Sequence, residues 1–186
     1  MRSLLLFCLL IIARTASAEV SESLDYIYYT ANADADRSLL KILNSASPIR
    51  ANKRTFHGYT KWHVKWNYRW FEKPDGRCKI TRVTTNVSGK ITLPDLVGGT
   101  SEQTELFDKY LSALKLHELG HFDIGKAAAN TIDSGIRSLP EMSSCKELES
   151  TANDLGYRTL DEYKAKEKQY DISTGHGKSQ GAWLPR

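Results

Sequence analysis

The sequence contains one short motif whose residue types and spacing suit metal chemistry, His117-Glu118-Leu119-Gly120-His121. Residues four apart stand one above the other on a helix, so the two histidine side chains can reach the same metal ion. Imidazole nitrogen is a common zinc ligand, and a glutamate about 100° round the helix axis can act on a water molecule at the ion. The motif therefore predicts a catalytic zinc site with His117 and His121 as ligands and Glu118 as general base.

A catalytic zinc ion usually has three protein ligands and one open position, so a third ligand is needed. The metzincin pattern would place a histidine six residues after His121, where this chain has Ala127, and the GTxDxxYG pattern of aspzincins is absent. A glutamate from a following helix, as in gluzincins, stays open as Glu147 or Glu149. We favour His176, because imidazole is the commonest zinc ligand and the glycines on either side of it would let the backbone approach the metal.

Four further residues are weighed for roles around this site. Tyr170 could donate a hydrogen bond to the transition state, and Asp171 could orient a ligating histidine. The competing interpretations are a packing tyrosine and an aspartate that begins a turn. His57 and His63 have no partner at metal-ligand spacing, so we expect both at the surface.

A long helix must carry the motif. Thr100 with Gln103 forms a capping-box pattern, and apolar residues then recur at steps of three and four through the motif. The pattern continues to Leu139 and is stopped by Pro140. The two histidines therefore lie near the middle of one predicted helix.

The segment after this helix predicts a second helix and an irregular end. Ser144 with Glu147 could cap a helix that runs towards Tyr163, with a break near Gly156. Residues 170–186 contain three glycines and a proline, and we expect them to be irregular but ordered.

Strands are predicted before the motif. Residues 59–70 alternate strictly, with a tryptophan-rich face that we interpret as the core face and a basic, polar face opposite. A turn at 73–76 and a β-rich run from Cys78 to Leu93 follow, so the hairpin 59–93 is expected to form an antiparallel sheet. A short strand near residues 26–29 and a helix near 34–43 precede it. The fold class is α+β, with this sheet packed against the long helix and further C-terminal helices.

The start of the chain predicts export. Residues 1–18 combine Arg2, an apolar run and an A-x-A pattern at 16–18, which is typical of a signal peptide. Cys8 would leave with it, so Cys78 and Cys145 would enter an oxidising compartment, where an even pair normally forms a disulfide. We expect that disulfide, and a periplasmic or secreted protein.

Composition argues against a disordered chain, a nucleic-acid-binding protein and a membrane-spanning protein. With 40% hydrophobic and 26% charged residues, the chain has enough apolar material to fold. A net charge of only +4 gives no support to nucleic-acid binding. No segment of the mature chain approaches the ~20 apolar residues of a membrane span. The oligomeric state is not indicated by the sequence.

The motif and its surroundings resemble a known family, the predicted secreted bacterial zinc-dependent proteases, long catalogued as a domain of unknown function. The resemblance rests on HELGH at 117–121, on the Y-D-x-x-T-x-H-G pattern at 170–177 and on the tryptophan-rich strand before the G-x-C at 76–78. It implies a single zincin-like peptidase domain at 19–186. It also implies that His117, Glu118, His121 and His176 form the site.

The expected function is therefore that of a zinc-dependent peptidase, which hydrolyses a peptide or protein substrate with Glu118 as general base for a zinc-activated water. The alternative is a non-catalytic, zinc-stabilised module that binds an envelope component. Glu118 distinguishes the two hypotheses, because a structural zinc site needs no general base and is usually closed by four protein ligands.

Overall fold

The computed structural model describes residues 20–51 and 53–185, so the predicted signal peptide at 1–18 lies outside the described residues. The strands are β1 (Ser21–Asn32), β2 (Ile49–Ala51), β3 (Arg54–Phe56), β4 (Tyr59–Glu72) and β5 (Cys78–Val97). The helices are α1 (Leu39–Ala46), α2 (Ser101–Arg137) and α3 (Cys145–Thr174), and a short 3-10 helix follows at Lys178–Gln180. The α+β class is confirmed.

The main sheet has the strand order β1-β5-β4. β4 and β5 pair antiparallel, which confirms the predicted hairpin, with an irregularity between Arg69 and Trp70. β1 pairs with β5 in parallel, so the sheet is mixed where an entirely antiparallel one was expected. The chain between these two strands includes α1 and three strands, and this length allows the crossover that parallel pairing requires.

The long motif helix forms as predicted. Thr100 and Gln103 make both hydrogen bonds of a capping box at the start of α2. The helix ends at Arg137, shortly before Pro140, whose ring and missing N–H cannot continue it.

The second long helix differs from its prediction in two places. α3 runs without a break through Gly156, where the indole ring of Trp66 packs against the bare backbone and an added Cβ would lie 2.5 Å from the ring. It also continues to Thr174, past the point where an irregular segment was expected, and ends on Gly175 in the left-handed conformation. Tyr170 and Asp171 are therefore helical residues.

One face of the sheet packs against α2 and α3. Trp62 and Val64 of β4 contact this core, and Trp62 lies directly on Gly125 of α2. The core-face interpretation is confirmed for this part of the strand, whereas Trp70 near its end is 40% exposed. The buried side chains form a group at each end of the sheet, one around Leu43, Ile91, Leu93, Phe107 and Leu114, the other around Val83, Ile132, Ile136, Leu148 and Ala152.

The predicted disulfide is present. Cys78 at the start of β5 is bonded to Cys145 at the start of α3, a separation of 67 residues along the chain. Such a bond fits an oxidising compartment. Within the described part of the chain, no helix combines the length and apolarity that a membrane crossing needs.

Candidate metal centre

The two motif histidines lie side by side in the middle of α2. Both are buried, with 3% of His117 and 7% of His121 exposed. Their Nε2 atoms are 3.3 Å apart, and the two rings are nearly perpendicular. Two ligands at about 2.0–2.1 Å from a tetrahedral zinc ion are ~3.3 Å apart, so the two nitrogens already have the spacing of a shared ion.

Asp171 supplies a third donor. Its Oδ1 atom lies 3.2 Å from Nε2 of His117 and 3.2 Å from Nε2 of His121. The ligand atoms of these three residues all lie within 4.8 Å of one another. Two imidazole nitrogens and one carboxylate oxygen are a donor set that zinc accepts, so the residues present fit the metal.

His176 lies next to this triad. Its Nδ1 atom is 3.3 Å from the same Oδ1 of Asp171, and 44% of its side chain is exposed. It has a φ of 54°, in the left-handed region, and its ring packs edge-on against Phe56. One carboxylate oxygen is thus the common neighbour of three imidazoles. Among the described residues, the donors within 4.8 Å of one another include Asp171 but not His176.

The glutamates weighed as third ligands lie elsewhere. Glu147 and Glu149 are in the first turns of α3, whereas Asp171 is in its last turn. At 1.5 Å rise per residue, roughly 33 Å or more of helix separates them from Asp171. Glu147 accepts hydrogen bonds from Ser143 instead.

The Nδ1 atoms of the motif histidines, here called the outer nitrogens, also have neighbours. His117 Nδ1 is 2.9 Å from Oε1 of Gln180, on the short 3-10 helix. His121 Nδ1 is 3.3 Å from Oε1 of Glu167, one turn before Asp171 on α3, and this oxygen accepts a hydrogen bond from the indole N–H of Trp62. The contact with Gln180 fixes the ring of His117 with Nε2 directed inward. Nδ1 of His121 makes no hydrogen bond to the described residues, and Glu167 acts on it as a nearby negative charge. No motif in the sequence points to Gln180 or Glu167.

Tyr170 packs behind the two rings. Its ring stacks on His117 with centroids 5.0 Å apart and meets His121 edge-on. Its hydroxyl accepts a hydrogen bond of 2.9 Å from Nε2 of Gln180 and touches the bare backbone of Gly120. The hydroxyl is therefore engaged on the side of α2, and this position corresponds to a packing tyrosine.

Glu118 is buried between α2 and the start of β4. Its Oε2 atom accepts a hydrogen bond of 2.7 Å from Thr60, and 4% of the residue is exposed. Gly58 leaves room for the carboxylate, because a Cβ there would lie 2.5 Å from Oε1. Burial raises the pKa of Glu118, against the hydrogen bond from Thr60 and the charges of the motif histidines. The sequence motifs do not point to Thr60 or Gly58 either.

The electrostatics of the triad favour a charged pair. Burial lowers the pKa of His121, but the carboxylates of Asp171 and Glu167 beside its ring outweigh this and raise the pKa to about 9. Burial likewise opposes ionisation of Asp171, and the neighbouring rings of His117 and His121 hold its pKa below the usual range. The negative carboxylate is thus fixed where a cation would be bound.

His57 is buried, so its expected surface position was wrong. Its Nδ1 is 2.7 Å from the hydroxyl of Tyr110, and its Nε2 is 3.1 Å from Oδ1 of Asn44. Burial, with a smaller effect from the charge of Arg50, lowers its pKa from 6.5 to about 4. The ring is a neutral part of the core beside Gly58. His63 is exposed, as expected.

Fold and site together define an α+β protein in which a long HExxH helix and the end of a second helix form a candidate metal centre. The chain belongs to a family described as bacterial protein of unknown function (DUF922), which matches residues 26–177. No curated protein matches the chain, and no solved structure does. The match establishes family membership, and the family description assigns no function.

Proposed function

We propose that this protein is a zinc-dependent peptidase of an oxidising compartment outside the cytoplasm. The observation that carries the proposal is the convergence of two motif nitrogens and one carboxylate oxygen, 3.2–3.3 Å apart, beside a buried glutamate of the same helix. A structural zinc site is usually closed by four protein ligands, whereas three donors with an adjacent carboxylate are typical of a catalytic one.

The proposed ligands are His117, His121 and Asp171. Zinc bound there would lower the pKa of a water molecule towards about 7 and polarise a carbonyl group. Asp171 is preferred to His176 because its oxygen lies at ligand spacing from both motif nitrogens. His176, half exposed and in contact with Asp171, is then placed to orient that carboxylate.

Glu118 is the proposed general base. Thr60 engages Oε2, and Oε1 has no hydrogen-bond partner among the described residues, so Oε1 is the atom that can accept a proton from water. Burial raises the pKa of Glu118 in the direction of neutral pH. A carboxyl group with such a pKa can both take this proton and pass it to the leaving amine.

Gln180, Glu167 and Tyr170 hold the ligands in place. The side-chain oxygen of Gln180 accepts from His117 Nδ1, and its N–H group donates to Tyr170, so one amide fixes both rings. Glu167 stands at the outer nitrogen of His121 and is itself fixed by Trp62. These residues reduce the reorganisation that metal binding would otherwise require.

The proposal is tested by hydrolysis of an unfolded protein substrate by purified, zinc-loaded protein. Glu118→Gln should reduce kcat by about 10²–10⁴-fold, the usual contribution of a general base, while zinc content is unchanged. Glu102→Gln, an exposed substitution in the first turn of the same helix, should retain full activity. Zinc-loaded wild type without hydrolysis, or an active Glu118→Gln variant, would contradict the proposal; the first result would favour a zinc-stabilised binding module.

A further inference from the structure

The face of the sheet turned away from α2 and α3 carries a stripe of positive charge. Lys61, Lys65 and Arg69 alternate along β4 with inward residues, and Lys90 and Arg82 lie beside them on β5. All five side chains are exposed. We call this set the basic stripe.

The basic stripe contains two unfavourable pairs. Lys61 stands directly opposite Lys90, and Arg69 directly opposite Arg82. Like charges in directly opposed positions of neighbouring strands destabilise a sheet. None of the five forms an ion pair with a residue in the described ranges. A negative group lying between the two members of a pair would convert repulsion into attraction.

A depression marks one of these pairs. It has a volume of about 350 Å³ and is lined by Asn67, Tyr68, Arg69, Arg82 and Thr84. Two guanidinium groups can bind a carboxylate with paired hydrogen bonds, and the amide and hydroxyl beside them can bind neighbouring hydroxyl groups. The depression therefore has the chemistry for a unit that carries both an acid and hydroxyls.

The shape of the basic stripe indicates a linear partner. The cations occupy only β4 and β5, since the residue of β1 next to Lys90 is Asp25. Along β4 they recur every four residues, roughly every 13 Å at the rise of a strand. Exposed aromatic rings, Tyr59 and Phe71, lie on the same strand beyond the two ends. A broad anionic surface would find no matching charge on β1.

We propose that the basic stripe binds an acidic polysaccharide, whose carboxylates lie between the opposed cations and whose sugar rings contact the aromatic residues at its ends. The binding face lies on the opposite side of the sheet from the metal centre. The interaction is independent of peptide hydrolysis and would hold the protein on an envelope polymer while the metal centre stays open.

The test is the affinity of purified protein for polygalacturonate, a linear polymer of uronic acids, at low ionic strength. Arg69→Gln with Arg82→Gln should weaken binding about tenfold or more, because two charge-assisted contacts are lost. Lys146→Gln with Lys168→Gln is the matched control, since it removes the same charge from exposed positions on α3 and should change affinity less than about threefold. The arginine variant should be no less stable than wild type, because a repulsive pair is removed.

Three results would overturn the proposal. They are the absence of binding by wild type, an equal loss of affinity in both double variants, and equally tight, arginine-dependent binding of single-stranded oligothymidylate or anionic lipid vesicles. Zinc content and peptide hydrolysis should be unchanged in both variants. Failure of this proposal therefore leaves the proposed function standing, and failure of the proposed function leaves the polysaccharide test valid.

Discussion

The two halves of the candidate metal centre are built differently. The α2 half consists of three buried residues within one and a half turns of a single helix, supported by Thr60 and Gly58. The C-terminal half, residues 167–180, spans the end of α3, a left-handed turn and the 3-10 helix. Its side chains are more open, with 31% of Asp171 and 44% of His176 exposed.

The two halves therefore depend on different determinants: the α2 half on local helical spacing, and the C-terminal half on tertiary contacts. The α2 half needs only helical spacing to bring its histidines together. The C-terminal half is positioned by contacts between distant segments, such as Tyr170 on Gly120 and Gln180 on His117. The contacts that join the two halves should therefore be more sensitive to substitution than exposed positions on either helix.

Among the substitutions that test this comparison, Gly120→Ala is expected to have the largest effect on the free energy of unfolding, because its side chain fills the space between the halves. A Cβ would overlap the hydroxyl and ring of Tyr170, and the rigid ring stacked on His117 has little freedom to move. We expect a loss of about 2–3 kcal/mol in the free energy of unfolding, measured by denaturant titration, despite the better helix propensity of alanine.

Gly135→Ala on the same helix is the control for this substitution. Its Cβ would meet the methyl ends of Leu155, at 3.0 Å, and these belong to a flexible side chain. This variant should be within about 1 kcal/mol of wild type. Equal losses in the two variants would show that Tyr170 does not join the halves.

A smaller effect is expected from Glu167→Gln, which neutralises the group behind His121. The amide keeps the shape of the side chain but removes the charge beside Nδ1. Loss of an outer contact to a metal ligand typically weakens metal affinity about 10–100-fold. Competition with a zinc indicator would measure the change. Glu162→Gln, exposed on the same helix, should bind zinc as wild type does, and equal affinities of all three proteins would exclude the role of Glu167.

The smallest effect is expected on the pH dependence of stability and arises from His57. This residue lies between β3 and β4, next to Gly58, which supports the α2 half. Its pKa of about 4 in the folded protein lies below its ordinary value of 6.5, so the unfolded chain binds more protons between these values. The stability contributed by neutral His57 is present above pH 6.5 and is lost as the pH falls towards 4. Between pH 7 and 5 the loss should be about 1–2 kcal/mol.

His57→Gln provides the comparison for this pH dependence. Glutamine can hydrogen-bond to Tyr110 or Asn44 and does not titrate. Denaturant titrations at pH 7 and pH 5 should show a smaller decrease in stability for the variant than for wild type. An identical decrease would mean that protonation of His57 does not oppose folding.

The elements that the sequence predicts correctly are those that depend on local patterns. The capping box and the apolar spacing place α2 correctly, and strict alternation places β4 and its hairpin. Glycine signals were less informative, because Gly156 permits close packing of Trp66 without ending the helix. The glycines at 175 and 177 favour an irregular segment from Tyr170 onward, but α3 continues to Thr174.

The sequence predicts only an orienting role for Asp171, because its local pattern does not indicate a helix. Once α3 extends to Thr174, Glu167 and Asp171 lie on the same helix face, one turn apart, and can flank one histidine. The contact between α3 and α2 that selects these residues depends on tertiary packing, which spacing alone does not reveal. The same applies to buried His57, whose partners come from α1 and α2.

The most direct test of the account is the zinc content of purified protein after dialysis against a mild chelator, measured for wild type, Asp171→Ala and His176→Ala. We predict one zinc ion per wild-type chain, loss of zinc from Asp171→Ala and retention in His176→Ala. Among the described residues, Asp171 is the one that joins both motif histidines at ligand spacing. Retention in Asp171→Ala with loss in His176→Ala would make His176 the third ligand. Wild-type protein that binds no zinc even after reconstitution would contradict the metal centre itself.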